Sequence, residues 1–176
     1  MKKDSKKKFR FDVNVLLGLS AVFLSASALI VSIIQTTIFK EQQFATVWPY
    51  MQISAFYSGN SYSYGLENKG VGPAIIKNFT YTYQGKNYSS TREAFAAIFG
   101  GGAKGVGYSA ITKDYVFKSG ESIATLTLDM PDSLIQDYIS KWESTDLTLN
   151  LIYSDVYGNC WELSNGVTIR LESCPD

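Results

Sequence analysis

The chain has 176 residues, in which 16 Lys and Arg balance 16 Asp and Glu, and it contains no histidine. Without His the commonest general base and metal ligand are missing, which excludes Ser-His-Asp and Cys-His catalysis and His-based zinc sites. The charge is uneven along the chain: the first 12 residues carry six basic and two acidic groups, whereas residues 41–176 carry nine basic and fourteen acidic ones, so the larger part offers no electrostatic footprint for nucleic acid.

The basic start, Lys2, Lys3, Lys6, Lys7, Lys8 and Arg10, is followed by a charge-free apolar run over residues 13–39. As a helix these 27 positions reach about 40 Å, more than the roughly 30 Å of a hydrocarbon core. The pattern predicts a transmembrane helix over 13–39, preceded by a basic cytoplasmic tail at 1–12. By the positive-inside rule, a linker at 40–46 and a domain at 47–176 then lie outside the cytoplasm, in a bacterial periplasm or at the cell exterior. A cleavable signal peptide competes, because Ala26-Ser27-Ala28 offers small residues to a peptidase; against it, the apolar run continues through Leu29, Ile30, Val31, Ile33 and Ile34.

Within the run, Asn14, Gly18, Ala21, Ser25, Ala28, Ser32 and Gln35 recur at alternating steps of four and three and are all small or polar. In lipid, close backbone approach and side-chain hydrogen bonds along such a stripe join helices. The seam therefore predicts a protein partner or a second copy of the chain; the plainer alternative is a span that happens to be rich in small residues.

After the linker, alternation predicts strands at 47–57, with Pro49 at the start, and at 61–67, with Tyr62, Tyr64 and Leu66 on one face. Next comes Leu66-Glu67-Asn68-Lys69-Gly70-Val71-Gly72-Pro73-Ala74. This L-x-N-x-G-x-G-P-A stretch resembles a turn between paired strands in extracytoplasmic β-sandwich modules, including those carried by uncharacterised single-span bacterial membrane proteins. The resemblance implies a mainly β outer domain and a structural turn, in which Asn bonds local backbone and the glycines free its path.

The strand expected at 74–83 places Ile75, Lys77, Phe79, Tyr81 and Tyr83 on one side and returns through Gln84-Gly85-Lys86. Asn78-Phe79-Thr80 and Asn87-Tyr88-Ser89 fit the glycosylation acceptor pattern, which matters only in a eukaryotic host. Ser90-Thr91-Arg92-Glu93 is a capping box opening a short helix that Gly100 stops. The glycines of 100–107 are not a phosphate loop, because a helix precedes them and Lys104 is followed by Gly105 in place of Ser or Thr. Strands follow at 108–117 and 122–128. A second helix opens near Pro131, with Leu134, Ile135, Tyr138, Ile139 and Trp142 on its apolar face, and a strand at 147–153 places Leu147, Leu149, Leu151 and Tyr153 on one face.

For the C-terminal hairpin, a three-residue Ser164-Asn165-Gly166 loop places Trp161, Leu163, Val167, Ile169 and Leu171 on one face, whereas a two-residue Asn165-Gly166 turn splits them. The three-residue register is the expectation. Cys160 and Cys174, both in the exported part, are expected to form a disulfide once the tail bends back.

About seven short strands with frequent turns predict an immunoglobulin-like antiparallel β-sandwich with two short helices, without the Cys-Trp-Cys core of antibody domains. A single sheet with helices on one face is the alternative. Tyr57, Tyr62, Tyr64, Tyr81, Tyr83 and Tyr88 form an aromatic binding platform if neighbouring strands expose them; otherwise they fill the core. Neither a cofactor motif nor a metal or catalytic constellation emerges, which favours a non-enzymatic, membrane-anchored interaction or scaffolding subunit whose outer domain binds a protein or envelope component. The competing class is a membrane-tethered hydrolase that uses paired carboxylates, drawn from Asp129, Asp132, Asp137, Glu143, Asp146, Asp155 and Glu162, or Ser with Lys, near residues 100–107. A pilin-like subunit lacks its Gly-Phe processing site and early helix glutamate here.

Overall fold

The computed structural model describes residues 12–175; of the expected basic tail, residues 1–11 lie outside the described part. The chain divides into two compact units, residues 1–43 and 44–176. Through the first runs α1 (Val13–Thr46), 34 residues or about 51 Å of helix. Asp12 opens it, its carboxylate accepting from Asn14 N at 3.4 Å. No residue of α1 is buried, although most of its side chains are apolar. It is long and apolar enough to cross a membrane. Hydroxyls of Ser20, Ser25, Ser27, Thr36 and Thr37 bond within the helix, Ser25 to the Ala21 carbonyl at 2.9 Å and Ser27 to that of Phe23 at 2.9 Å, so these carry no unmet donor into an apolar surrounding. Residues 40–46, expected as a linker, continue the helix, as Lys40-Glu41-Gln42-Gln43 are good helix formers with no Gly or Pro to stop them.

The second unit is mainly β, with two antiparallel sheets. The first contains β1 (Met51–Ser58), β2 (Ser61–Asn68), β5 (Val106–Tyr108) and β7 (Ser122–Asp129), in the order β1-β2-β7-β5. The second contains β3 (Ala74–Tyr83), β4 (Lys86–Tyr88), β8 (Leu147–Ser154), β9 (Cys160–Ser164) and β10 (Val167–Leu171), in the order β10-β9-β8-β3-β4, with β6 (Val116–Phe117) paired to the start of β3. Two helices are added, α2 (Thr91–Phe99) and α3 (Asp132–Ser144).

One apolar cluster joins the two sheets and both helices. Met51, Leu66, Leu126 and Leu128 come from the first sheet, Ile76, Tyr81, Leu149, Leu151 and Tyr153 from the second, and Phe95, Ile135 and Trp142 from the helices. Trp142 is the aromatic hub, its ring centroid 5.7 Å from Tyr64, 6.2 Å from Tyr81 and 6.1 Å from Phe95. The expected cap forms with its return bond shifted by one residue: Ser90 accepts from Glu93 N, the Glu93 carboxylate accepts from Ser89 N at 3.0 Å and not from Ser90 N, and Gly100 ends the helix at φ 87°. On α3 the expected face is narrower, because Leu134 is exposed while Ile135 and Trp142 are buried.

Four expectations are corrected. The first strand starts at Met51 and not at 47, because Trp48 and Tyr50 give their carbonyls to Val71, Gly72 and Lys69 in the turn beside β2. In β3 the pairing with β8 shifts between Ile76 and Asn78, so the buried side passes from Ala74 and Ile76 to Phe79 and Tyr81, and Ile75 and Lys77 leave the face proposed for them. The run 108–117 is not one strand: β5 pairs in the first sheet, β6 in the second, and the chain between them crosses over without regular structure. In the C-terminal hairpin the turn has two residues, with Leu163 opposite Thr168 and Trp161 opposite Arg170. Asn165 at φ 51° and Gly166 at φ 75° are the positive-φ pair of a type I′ turn. Because β10 lies at a sheet edge, Val167 and Ile169 remain 63% and 52% exposed, so no buried face forces the other register.

Candidate functional site

The L-x-N-x-G-x-G-P-A stretch holds the most connected polar side chain of the second unit. Asn68 is fully buried. Its Oδ1 accepts from Tyr50 N at 3.2 Å and Gly70 N at 3.0 Å, while its Nδ2 faces the carbonyls of Gly72 at 2.8 Å, Lys118 at 3.2 Å and Phe117 at 3.3 Å. Its own N–H donates to Glu121 O at 2.9 Å and its carbonyl accepts from Gly120 N at 2.8 Å. A Cβ on Gly70 or Gly72 would enter the backbone of Trp48 to Tyr50 or of Val47. Asn68 thus clamps three segments together, and with both ends of its amide used it has nothing left for a ligand.

The six tyrosines do not share a surface. Tyr62 and Tyr81 are buried, Tyr64, Tyr83 and Tyr88 are half-buried, and Tyr57 is exposed. Burial pushes the Tyr62 hydroxyl up to about 12, with the nearby Glu143 carboxylate adding to it, and burial also raises Tyr64 and Tyr81. The Tyr81 hydroxyl is supported by Thr91 at 3.3 Å and Thr125 at 3.5 Å. Tyr57 donates to Asp132 at the start of α3, and this contact raises its hydroxyl. Sheet pairing places Tyr57 opposite Tyr62 and Tyr81 opposite Tyr88.

Cys160 and Cys174 lie at disulfide distance, with Cα atoms 5.4 Å apart. Cys160 is buried and pairs with Leu171 across the hairpin; the tail turns back three residues later. The seven residues of the helix seam all lie on the regular part of α1, so their spacing places them along one stripe.

Sequence reasoning missed a polar chain at the edge of a hollow of about 320 Å³ lined by Phe44, Trp48, Asp155, Asn159, Trp161 and Arg170. Arg170 Nη2 donates to Asn159 Oδ1 at 2.8 Å, and Asn159 Nδ2 to Asp155 Oδ2 at 2.7 Å. The other Asp155 oxygen accepts from Tyr157 N at 2.8 Å and Asn159 N at 2.9 Å. Asp155 is 2% exposed, and its oxygens are spent in closing its own turn, which leaves a poor general base. Arg170 retains further N–H donors beside aromatic walls, an arrangement able to hold a small planar or aliphatic group that carries an acceptor. The Asp-x-x-x-Asn spacing was the available signal.

Beside residues 100–107, one hollow is lined by Arg92, Ala96, Gly101, Gly102, Ala103 and Tyr108 and another by Ser90, Thr91, Arg92, Tyr108, Ser109 and Ala110. Arg92 lies over the Tyr108 ring at 5.3 Å, and Ser90 is spent on the helix cap. Neither lining contains a carboxylate or a lysine. Among the described residues no three His, Cys, Asp or Glu side chains gather as a metal site.

No family model, curated protein or solved structure matches the chain.

Proposed function

We propose that the chain is a single-span membrane protein whose outer unit is an immunoglobulin-like β-sandwich, and that it serves as a non-enzymatic interaction or scaffolding subunit. The observation that carries this reading is α1, an apolar helix with no buried residue that bears a stripe of small and polar positions. An apolar surface of that length needs lipid or a partner to cover it. Along the stripe a second helix can approach closely, and Asn14 and Gln35 at its two ends add hydrogen-bonding groups. The cysteine pair fits an oxidising compartment, which agrees with the outward placement of residues 47–176.

Strand order supports the immunoglobulin-like reading. With β1, β2, β3, β4, β5, β7, β8 and β9 taken as strands A, B, C, C′, D, E, F and G, the first sheet reads A-B-E-D and the second G-F-C-C′, with β10 added beyond G. Sandwiches of this kind present sheet faces, edges and end loops to other proteins.

Crosslinking in the native membrane, followed by mass spectrometry, tests the proposal by comparing wild type with Ser25→Leu and Ala28→Leu. A specific product that disappears in both variants identifies the seam as the assembly surface. A chain that runs alone in every form overturns it.

A further inference from the structure

β1 differs from every other strand at an edge of the two sheets. At the opposite edge of its own sheet, β5 has three residues; in the second sheet β4 also has three, and the five-residue β10 carries Arg170. β1 has eight residues, Met-Gln-Ile-Ser-Ala-Phe-Tyr-Ser, with no charge and no proline, and it pairs with β2 in unbroken register from Met51–Asn68 to Ser58–Ser61. Edges are ordinarily protected from further pairing by shortness, by charge, by proline or by a bulge. β1 has none of these.

Hairpin geometry shows which of its backbone groups are free. Ser58 and Ser61 flank the two-residue Gly59-Asn60 turn and so form a hydrogen-bonded pair, which directs Ser58, Phe56, Ser54 and Gln52 toward β2. Tyr50 keeps the same parity, its carbonyl accepting from Lys69 N at 2.8 Å. Met51, Ile53, Ala55 and Tyr57 therefore direct their N–H and C=O groups away from the sheet. Met51 N has a partner in the Tyr153 hydroxyl at 3.4 Å. Among the described residues no strand pairs with Ile53, Ala55 and Tyr57 on that side, and residues 55–58 are exposed. The contact from Tyr57 to Asp132 fixes the far end of the strand without using its backbone.

We propose that this edge pairs with β1 of a second copy of the chain, antiparallel and centred on Ala55. Two-fold symmetry then aligns Ile53 with the partner copy's Tyr57 and Ala55 with its own equivalent, and these are the positions whose groups face outward. Each aligned pair exchanges two hydrogen bonds, about six in all, and joins two four-stranded sheets into one. The side-chain pairs suit the register: a β-branched residue meets an aromatic one, Ser54 meets Phe56, and no charge meets its like. A strand of unrelated sequence gains the same backbone bonds but not this self-complementarity. The pairing uses a surface distinct from the helix seam and holds whether or not the seam operates.

The test uses the full chain in liposomes. In the antiparallel pair the two Ala55 Cα atoms stand about 5.5 Å apart, within disulfide reach. Oxidation of Ala55→Cys is expected to yield a covalent homodimer, and Lys86→Cys on the β4 edge is expected to remain monomeric. The dimer should persist when Ser25→Leu and Ala28→Leu are added, which separates it from the seam. Adding Tyr57→Pro, which deletes an outward N–H and no bond to β2, should abolish the band, whereas Tyr57→Phe, which loses only the contact to Asp132, should keep it. In the native-cysteine background with Ser25→Leu and Ala28→Leu present, so that the seam cannot contribute, Ala55→Lys should convert the dimer measured by mass photometry to monomer with an unchanged circular dichroism spectrum. Equal crosslinking of the Ala55→Cys and Lys86→Cys chains, or an undiminished dimer in a folded Ala55→Lys chain with the seam disabled, would overturn the proposal.

Discussion

The Asn68 amide nitrogen donates to the Gly72 carbonyl at 2.8 Å, closing a turn whose other bonds reach across to β6 and to the loop before β7. One residue thereby links the entrance of β1, the exit of β2 and residues 117–121, its side chain reaching 117 and 118 and its backbone 120 and 121. Ser119 adds a bond from its hydroxyl to the Gly70 carbonyl at 2.6 Å. Such a buried network is costly to break, because every remaining partner is stranded away from water.

Asn68→Ala leaves the Tyr50 and Gly70 N–H groups without their acceptor and the Gly72, Phe117 and Lys118 carbonyls without their donor, and we expect a loss of about 3 kcal/mol, from roughly 1–3 kcal/mol for each unsatisfied group with partial relaxation. Asn68→Asp keeps the shape but places a carboxylate against three carbonyl oxygens, and should destabilise at least as much at neutral pH. Urea unfolding followed by tryptophan fluorescence checks both; a midpoint within error of wild type contradicts the clamp.

Tyr62, Tyr64, Tyr81 and Tyr153 all have hydroxyls raised from 10.0, in each case chiefly by burial. A raised tyrosine pKa means that the folded chain holds protons that the unfolded chain releases, so the contribution to stability is complete below pH 10 and is lost as pH rises above it. For Tyr62 that loss extends to about pH 12. The expected result is a cooperative alkaline transition, with the tyrosinate absorbance of these residues appearing together with loss of near-ultraviolet dichroism. Tyr62→Phe removes one of the ionising groups and should make stability fall less steeply with pH. Tyrosinate signals that appear while the fold persists would refute it.

Local periodicity made much of this architecture legible. The apolar helix, the helix cap at Ser90, the alternation from Leu147 to Tyr153 and the cysteine pair each depend on residues close in sequence or on composition, and each is found. What could not be read depends on distant partners. The side-switch in β3 arises in its pairing with β8, and Gly65 is needed because a Cβ there would meet the Ile123 carbonyl across the sheet. The crossover at 109–115 follows from the separate sheets that receive β5 and β6. Tyr62 and Tyr81 belong to the core because α2 and α3 cover that side, a fact without a local signature. The hollow by Arg170 was missed because Arg170 comes from β10 and reaches Asn159, which shares the turn after β8 with Asp155, only once β10 is in register.

The C-terminal hairpin yields a prediction from its corrected register. Gly166 stands at φ 75° with open space where a Cβ would lie, so its requirement is backbone conformation and not room. Gly166→Ala should cost about 1 kcal/mol through that strain, and Gly166→Val more because a β-branched residue resists positive φ. Asn165→Gly should be tolerated, since Asn165 already occupies φ 51° and glycine does so without penalty. Thermal unfolding of the three variants in parallel decides it; a three-residue loop with only one left-handed position would make Asn165→Gly clearly destabilising.

Replacing Cys160 and Cys174 together by Ser tests what the cross-link adds. The two residues are 14 apart, and in the chain-entropy account closing a loop of about 15 residues stabilises the fold by about 3 kcal/mol, chiefly through the unfolded chain. Part of the effect should also be local. β10 is an edge strand held by β9 alone, with Val167 and Ile169 exposed, so without the tie its fraying no longer has to carry the tail with it. The expected outcome is a lower urea midpoint, together with proteolysis that begins between residues 165 and 175 and spares β3 and β8. Reduction of the wild-type chain should reproduce both effects. An unchanged midpoint with new cleavage confined to the tail would mean that the bond secures the terminus alone, whereas cleavage throughout the second sheet would mean that β9 and β10 hold the whole sheet together.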